Sequence, residues 1–191
     1  MNTDKVEGLI RELLIEIGED PTREGLRDTP KRIARMYGEI FAGYDKDSEL
    51  SIQFSEDSGT VLAKDIQFYS MCEHHMLPFF GKVHIAYNPR GTVFGISKLV
   101  RLVEKYAHRL QIQERLTRNI ADELCSLGII DVAVISDADH LCMKMRGVKN
   151  DARMTMSTFR GIYENKIDRE IILSLIRQGS SHSMTSLENK N

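Results

Sequence analysis

The sequence is short of the features that would staple a small secreted domain or carry a chain into a bilayer. It has three cysteines, Cys72, Cys125 and Cys142, an odd set that intrachain disulfides cannot use up. At 191 residues it is long enough to bury a core without staples, so the thiols need a chemical explanation. Met1 to Lys5 lead straight into an amphipathic segment, with no apolar stretch of the kind a cleavable signal needs, and a reducing cytoplasm is the expected compartment. Apolar runs such as Ile171 to Leu173 fall far short of the roughly 20 residues of a membrane span, which excludes a membrane role. An excess of one charge is missing too. With 26 basic and 28 acidic residues and a net charge of -2, there is no general attraction to nucleic acid, and any anionic ligand has to be bound locally.

What is present is a change of hydrophobic period. Val6, Leu9, Ile10, Leu13, Leu14 and Ile17 recur at three- and four-residue steps, a helix with one apolar face that needs a partner. Asp20-Pro21 and Thr29-Pro30 each set a capping side chain before proline, and the second opens a helix with Ile33, Met36, Tyr37, Ile40 and Phe41 inward. From about Leu50 the period becomes two, through Ile52, Phe54, Val61 to Tyr69, and Val83, Ile85 and Tyr87. Asn88 to Gly91 is turn chemistry. Ser97 then caps a helix carrying Leu99, Leu102, Val103 and Tyr106, and Leu116, Ile120, Leu124 and Leu127 mark another. Val132 to Cys142 and Met154 to Tyr163 read as a second pair of strands, and Asp168 caps a last helix through Ile172 and Ile176. The expected division is a helical arm over 1–49, an α+β unit with antiparallel strands over 50–179 and a disordered polar tail over 180–191. Two hairpins leave open edges, so association into a larger sheet is expected.

Two clusters carry chemistry. Met71-Cys72-Glu73-His74-His75 follows one strand, and Asp139-His140-Leu141-Cys142 lies near the end of another. Cys-x-x-His is a zinc spacing, and His-x-Cys on a strand points both side chains to one face. Thiolates with imidazole suit zinc better than magnesium or calcium. Five donors leave alternatives open: a catalytic zinc on three ligands with a free position, a closed Cys2His2 staple, or Cys72 as a nucleophile activated by His74 or His75. His84 and His108 read as structural, and Cys125 as a half-buried core residue.

The second cluster is Ser97, Lys98 and Arg101 at a helix start, with Arg146 just past the second metal segment. Cations oppose the dipole there, which an anion would reconcile; a solvated face is the plain alternative. Glu114, next to Gln113, either pairs with Arg118 one turn on or accepts from a guanine edge.

Thr29-Pro30-Lys31-Arg32, Ser70 to His75, Gly95-Ile96-Ser97-Lys98, Gln113-Glu114-Arg115-Leu116-Thr117, and His140-Leu141-Cys142 with Arg146-Gly147, taken in this order, resemble GTP cyclohydrolase I over about residues 5 to 177. The resemblance implies a tunnelling fold, an antiparallel sheet with helices on one face plus the N-terminal arm, assembled into a toroidal homodecamer with active sites where subunits meet. It implies zinc on Cys72, His75 and Cys142, proton transfer by His74 and His140, triphosphate contacts from Ser97, Lys98, Arg101 and Arg146, and guanine contacts from Gln113 and Glu114. It further implies that zinc-activated water attacks C8 of GTP, that formate leaves, and that the ribose rearranges and closes to 7,8-dihydroneopterin triphosphate, the first step of folate and tetrahydropterin synthesis. Rivals are a ring opening that stops before the pterin, a relative using a cysteine nucleophile, and a zinc-stapled binding module.

Overall fold

The computed structural model describes residues 1–45, 53–56 and 59–179. Ile52, the arm boundary at 49/50 and the expected tail over 180–191 lie outside the described residues.

The first apolar stripe forms helix α1 (Thr3–Glu16), started by Asn2, whose side-chain oxygen accepts from the Lys5 N–H at 3.0 Å. It packs on α2 (Thr29–Ile40), burying Ile10 and Leu14 and leaving Leu9, Leu13 and Ile17 exposed. Pro30 and Ala34 are the buried residues of α2, whereas Met36, expected inward, is exposed. Neither Asp20 nor Thr29 caps a helix as expected. Asp20 takes the Thr22 N–H and hydroxyl in a local turn, and α2 begins after Asp28, placing Thr29 inside the first turn.

The alternating segments form β1 (Gln53–Ser55), paired with β4 (Thr92–Phe94), and a five-stranded sheet. Its strands are β2 (Val61–Cys72), β3 (Pro78–Tyr87), β5 (Leu110–Gln111), β6 (Val132–His140) and β7 (Met154–Arg160), in the order β5-β2-β3-β6-β7. All neighbours are antiparallel except short β5, which runs parallel to the end of β2. The register sets the site. Met71 faces Pro78, Cys72 faces Gln111, and Phe79 faces His140, so both chemistry-bearing segments finish at one end of the sheet.

Helices α3 (Ile96–Ala107) and α4 (Gln113–Ser126) cover one face, where Leu99, Leu102, Val103, Leu116, Ile120 and Leu124 meet Val83, Ile85, Val132 and Val134. The last helix, α6 (Lys166–Gly179), departs from the expected one-sided arrangement. Its Ile172 and Ile176 pack with Ala86, Ala133 and Ile135, residues of the opposite pleat, so that part of the second face is covered as well. Asn165, not Asp168, starts α6 by accepting the Ile167 N–H at 2.9 Å.

β3 and β6 come together closely at Gly81. A Cβ there would lie 1.9 Å from the Asp137 carbonyl oxygen and 2.8 Å from Ala138 Cα, positions held by backbone. Gly81→Ala is therefore expected to destabilise the fold by about 3 kcal/mol, because the clash can be relieved only by spreading the two strands. A lowered urea midpoint with unchanged slope checks this.

Candidate metal centre

Cys72 closes β2 and opens a tight turn. Its N–H donates to Leu77 O at 2.9 Å, and its carbonyl accepts from the N–H of His75 at 3.4 Å and of Met76 at 2.8 Å, which folds Cys72 and His75 onto one side. Met76 takes a positive φ of 51° to complete the turn. The Glu73 N–H donates to Gln111 O at 3.0 Å, tying the loop to β5. On the other side the chain differs from expectation. β6 ends at His140, and Cys142 lies in a one-turn helix, α5 (Leu141–Lys144), not on the strand. That turn is pinned by Lys144, whose ammonium sits 2.9 Å from Asp139 on β6. Lys144 holds the Asp139 carboxyl below the usual carboxylate range.

The two turns bring one ligand atom each from Cys72, His75 and Cys142 within 4.8 Å of one another. Cys72 is buried, Cys142 half-buried and His75 exposed, so the group opens to one side. No fourth His, Cys, Asp or Glu joins it at that distance among the described residues, which favours the three-ligand reading over a closed Cys2His2 staple. Burial, with the adjacent Cys72 thiol, pushes the Cys142 thiol up. Two soft sulfur donors with one imidazole are a fitting donor set for zinc.

The two remaining histidines are separated by environment. His74 is 65% exposed, with Nε2 3.9 Å from Glu73 Oε1. Glu73 is in turn gripped by both guanidinium nitrogens of Arg115, Nη2 to Oε1 at 3.1 Å and Nη1 to Oε2, which fixes the ligand loop to the start of α4. His140 lies flat on Phe79, ring centroids 4.8 Å apart and 5° from parallel. Its Nε2 meets Gln113 Oε1 at 2.9 Å. Burial pushes the His140 imidazole down, against the opposing pull of the Glu114 and Asp139 carboxylates.

Gln113, expected on the guanine, is only 2% exposed. Its amide is engaged inside the protein, by Ser136, Met154 and His140, which argues against a guanine contact. Glu114 is exposed and within electrostatic reach of His140, and it makes no ion pair with Arg118. Arg146 is close enough to favour the Cys142 thiolate.

Ser97, Lys98 and Arg101 stand apart from this group. Gly95 occupies the cap position of α3, with no side-chain bond, and exposed Ser97 lies within the first turn instead of capping it. The Ser70 hydroxyl donates to Ala107 O at 2.7 Å, which places the far end of α3 beside the strand that carries Cys72. Ser97 is thus about 15 Å from that end, by the helical rise. Lys98, Arg101 and Arg146 have no carboxylate partner among the described residues.

The structural readings of His84, His108 and Cys125 agree with the fold. His84 is buried and takes the Asp65 N–H at 3.2 Å on Nδ1, His108 ends α3, and half-buried Cys125 packs on the core. Sequence reasoning missed Arg115, Phe79 and Ser136. Arg115 had a local signal in its place beside Glu114, whereas the other two are site neighbours only through register.

The chain matches the family model for GTP cyclohydrolase I over residues 6–177. It is 53% identical over 161 residues to a GTP cyclohydrolase 1 of Hyperthermus butylicus, covering 84% of this chain and 83% of the relative. A Geobacillus sp. GTP cyclohydrolase 1 is 50% identical over 184 residues, 93% of this chain and 98% of the relative. One of Streptococcus pyogenes is 49% identical over 183 residues, 92% and 94%.

Proposed function

Because this chain belongs to the GTP cyclohydrolase I family, we propose that Cys72, His75 and Cys142 are its zinc ligands and that His74 and His140 are its proton carriers. The chain is an enzyme acting on GTP at the first step of pterin and folate biosynthesis. The observation that carries the site assignment is the convergence of two thiols and an imidazole within 4.8 Å beside a histidine held by its own buried partners. Bound there, zinc supplies Lewis acidity that makes water nucleophilic near neutral pH.

The protein's own groups do the rest. Attack at C8 places negative charge on the purine, and exposed His74 offers a proton to the imidazole-ring nitrogen. His140, whose imidazole burial pushes down, shuttles protons as formate leaves and the ribose opens. Recyclisation then gives 7,8-dihydroneopterin triphosphate. Glu114 accepts from the guanine edge, and Arg146 with Ser97, Lys98 and Arg101 holds the triphosphate.

Since Ser97 and Lys98 start α3 and its other end lies beside the strand that carries Cys72, a neighbouring copy is the source we infer for the second cluster. The homodecamer and its toroid are the assembly we infer. The uncovered apolar stripes of α1 (Leu9, Leu13, Ile17) and α6 (Ile167, Ile171, Leu175), and the outer edge of β7, support it. We place the enzyme in the cytoplasm, since the site needs reduced thiols and all three cysteines are free. No described helix is long and apolar enough to cross a membrane.

The test is to incubate metal-quantified protein with GTP and follow formate and pterin together by chromatography and mass. Both are expected in equal amounts. Formate without a pterin would support the truncated ring opening, and neither product from a folded, zinc-loaded oligomer would leave a zinc-stapled module.

A further inference from the structure

The Gln113 side chain can be oriented in only one way. Ser136 O at 3.0 Å and Met154 O at 2.9 Å are carbonyl acceptors with nothing to donate, so the atom facing both is the amide nitrogen. The Ser136 hydroxyl lies 2.9 Å from the same atom. The oxygen, Oε1, is then the atom that meets His140 Nε2 at 2.9 Å. A carbonyl oxygen accepts only, so His140 Nε2 must carry hydrogen, and in the neutral ring Nδ1 is the bare nitrogen. Phe79, fully buried beneath the ring, holds its plane.

We propose that Gln113 is a positioning residue: clamped by the Ser136 and Met154 carbonyls, it holds His140 as the Nε2–H tautomer, so that Nδ1 is the nitrogen that exchanges a proton with substrate. The inference rests on the reading of His140 as a proton carrier in the GTP reaction. It replaces a guanine contact, for which the amide would have to give up its bonds to Ser136 and Met154. A ligated or proton-carrying histidine is commonly set in this way by the group on its other nitrogen, and here that group is itself set by two backbone carbonyls on adjacent strands.

The first readout is the tautomer itself. In full-length, zinc-loaded protein carrying 15N-histidine, with a His140→Ala sample to assign the signal, long-range proton–nitrogen correlations at pH 8 are expected to show a protonated Nε2 and a bare Nδ1. The opposite tautomer overturns the proposal whatever any variant does. The second is Gln113→Met, which keeps the volume and removes both ends of the clamp. Its kcat for GTP is expected to fall about 100-fold, with KM within about twofold of wild type and zinc content unchanged. A tenfold rise in KM at unchanged kcat would instead show a guanine contact, and unaltered kinetics would equally overturn the proposal. If wild-type protein released no formate from GTP, the functional reading would fail, while the tautomer would still be decided by the spectrum.

Discussion

Replacing Cys142 by alanine is expected to abolish metal binding and turnover together. Zinc should fall from about one per chain to below about 0.1, since the remaining thiol and imidazole are too few donors to retain it against dilution. The effect is expected to be local. Cys142 is half-buried on a one-turn helix whose position is held independently by the Lys144–Asp139 pair, and its Sγ packs only at the margin of the main core. The thermal midpoint of the metal-free variant should therefore match that of chelator-treated wild type. Elemental analysis with a formate assay checks the first part and calorimetry the second. Normal zinc content in the variant would remove Cys142 from the ligand set.

The His140→Ala variant is expected to separate chemistry from metal. Its kcat should drop by about 10²–10⁴-fold, the usual range for losing a positioned proton carrier, while zinc stays bound, because His140 Nε2 is committed to Gln113 rather than to the thiol group. The same alanine leaves Gln113 Oε1 without its partner and Phe79 without its stacked ring, so a modest loss of stability accompanies the loss of rate. Exposed His74 differs in this respect, and His74→Ala should lose rate with no stability cost. Turnover within threefold of wild type for His140→Ala would contradict its role.

Much of this was legible before the coordinates. The change from the 3.6-residue period of Val6 to Ile17 to the two-residue period of Val83, Ile85 and Tyr87 gave the α+β class, because each period records which faces are buried. Cys72 and His75 are readable as a pair because both lie in one turn, where sequence spacing is spatial spacing. Cys142 joins them by a different route from the one its spacing suggests: the strand ends two residues earlier, and a helical turn delivers the thiol. Propensity does not report such a four-residue element, since its stability comes from the Lys144–Asp139 contact. The caps at Ser97, Thr29 and Asp168 were each displaced by one to three residues, the ordinary uncertainty of helix ends.

What the sequence hid depends on register and on helix direction. Gln113 followed by Glu114 reads as a pair of polar groups for a polar ligand. Only when α4 is laid over β6 and β7 does Gln113 turn inward to the Ser136 and Met154 carbonyls and leave Glu114 alone at the surface. One step along a helix turns a side chain by about 100°, so adjacent residues of one motif serve different functions. Likewise, α3 carries Ser97 and Lys98 at the end away from the thiols, a separation that follows from the helix direction and not from the motif.

The most direct test of the account is to strip the protein with chelator, return zinc in measured steps, and follow formate release from GTP at each step. The account predicts that formate release is absent without zinc and rises in proportion to bound zinc up to one per chain, with no such rise in Cys142→Ala. Formate release that is indifferent to zinc would contradict it.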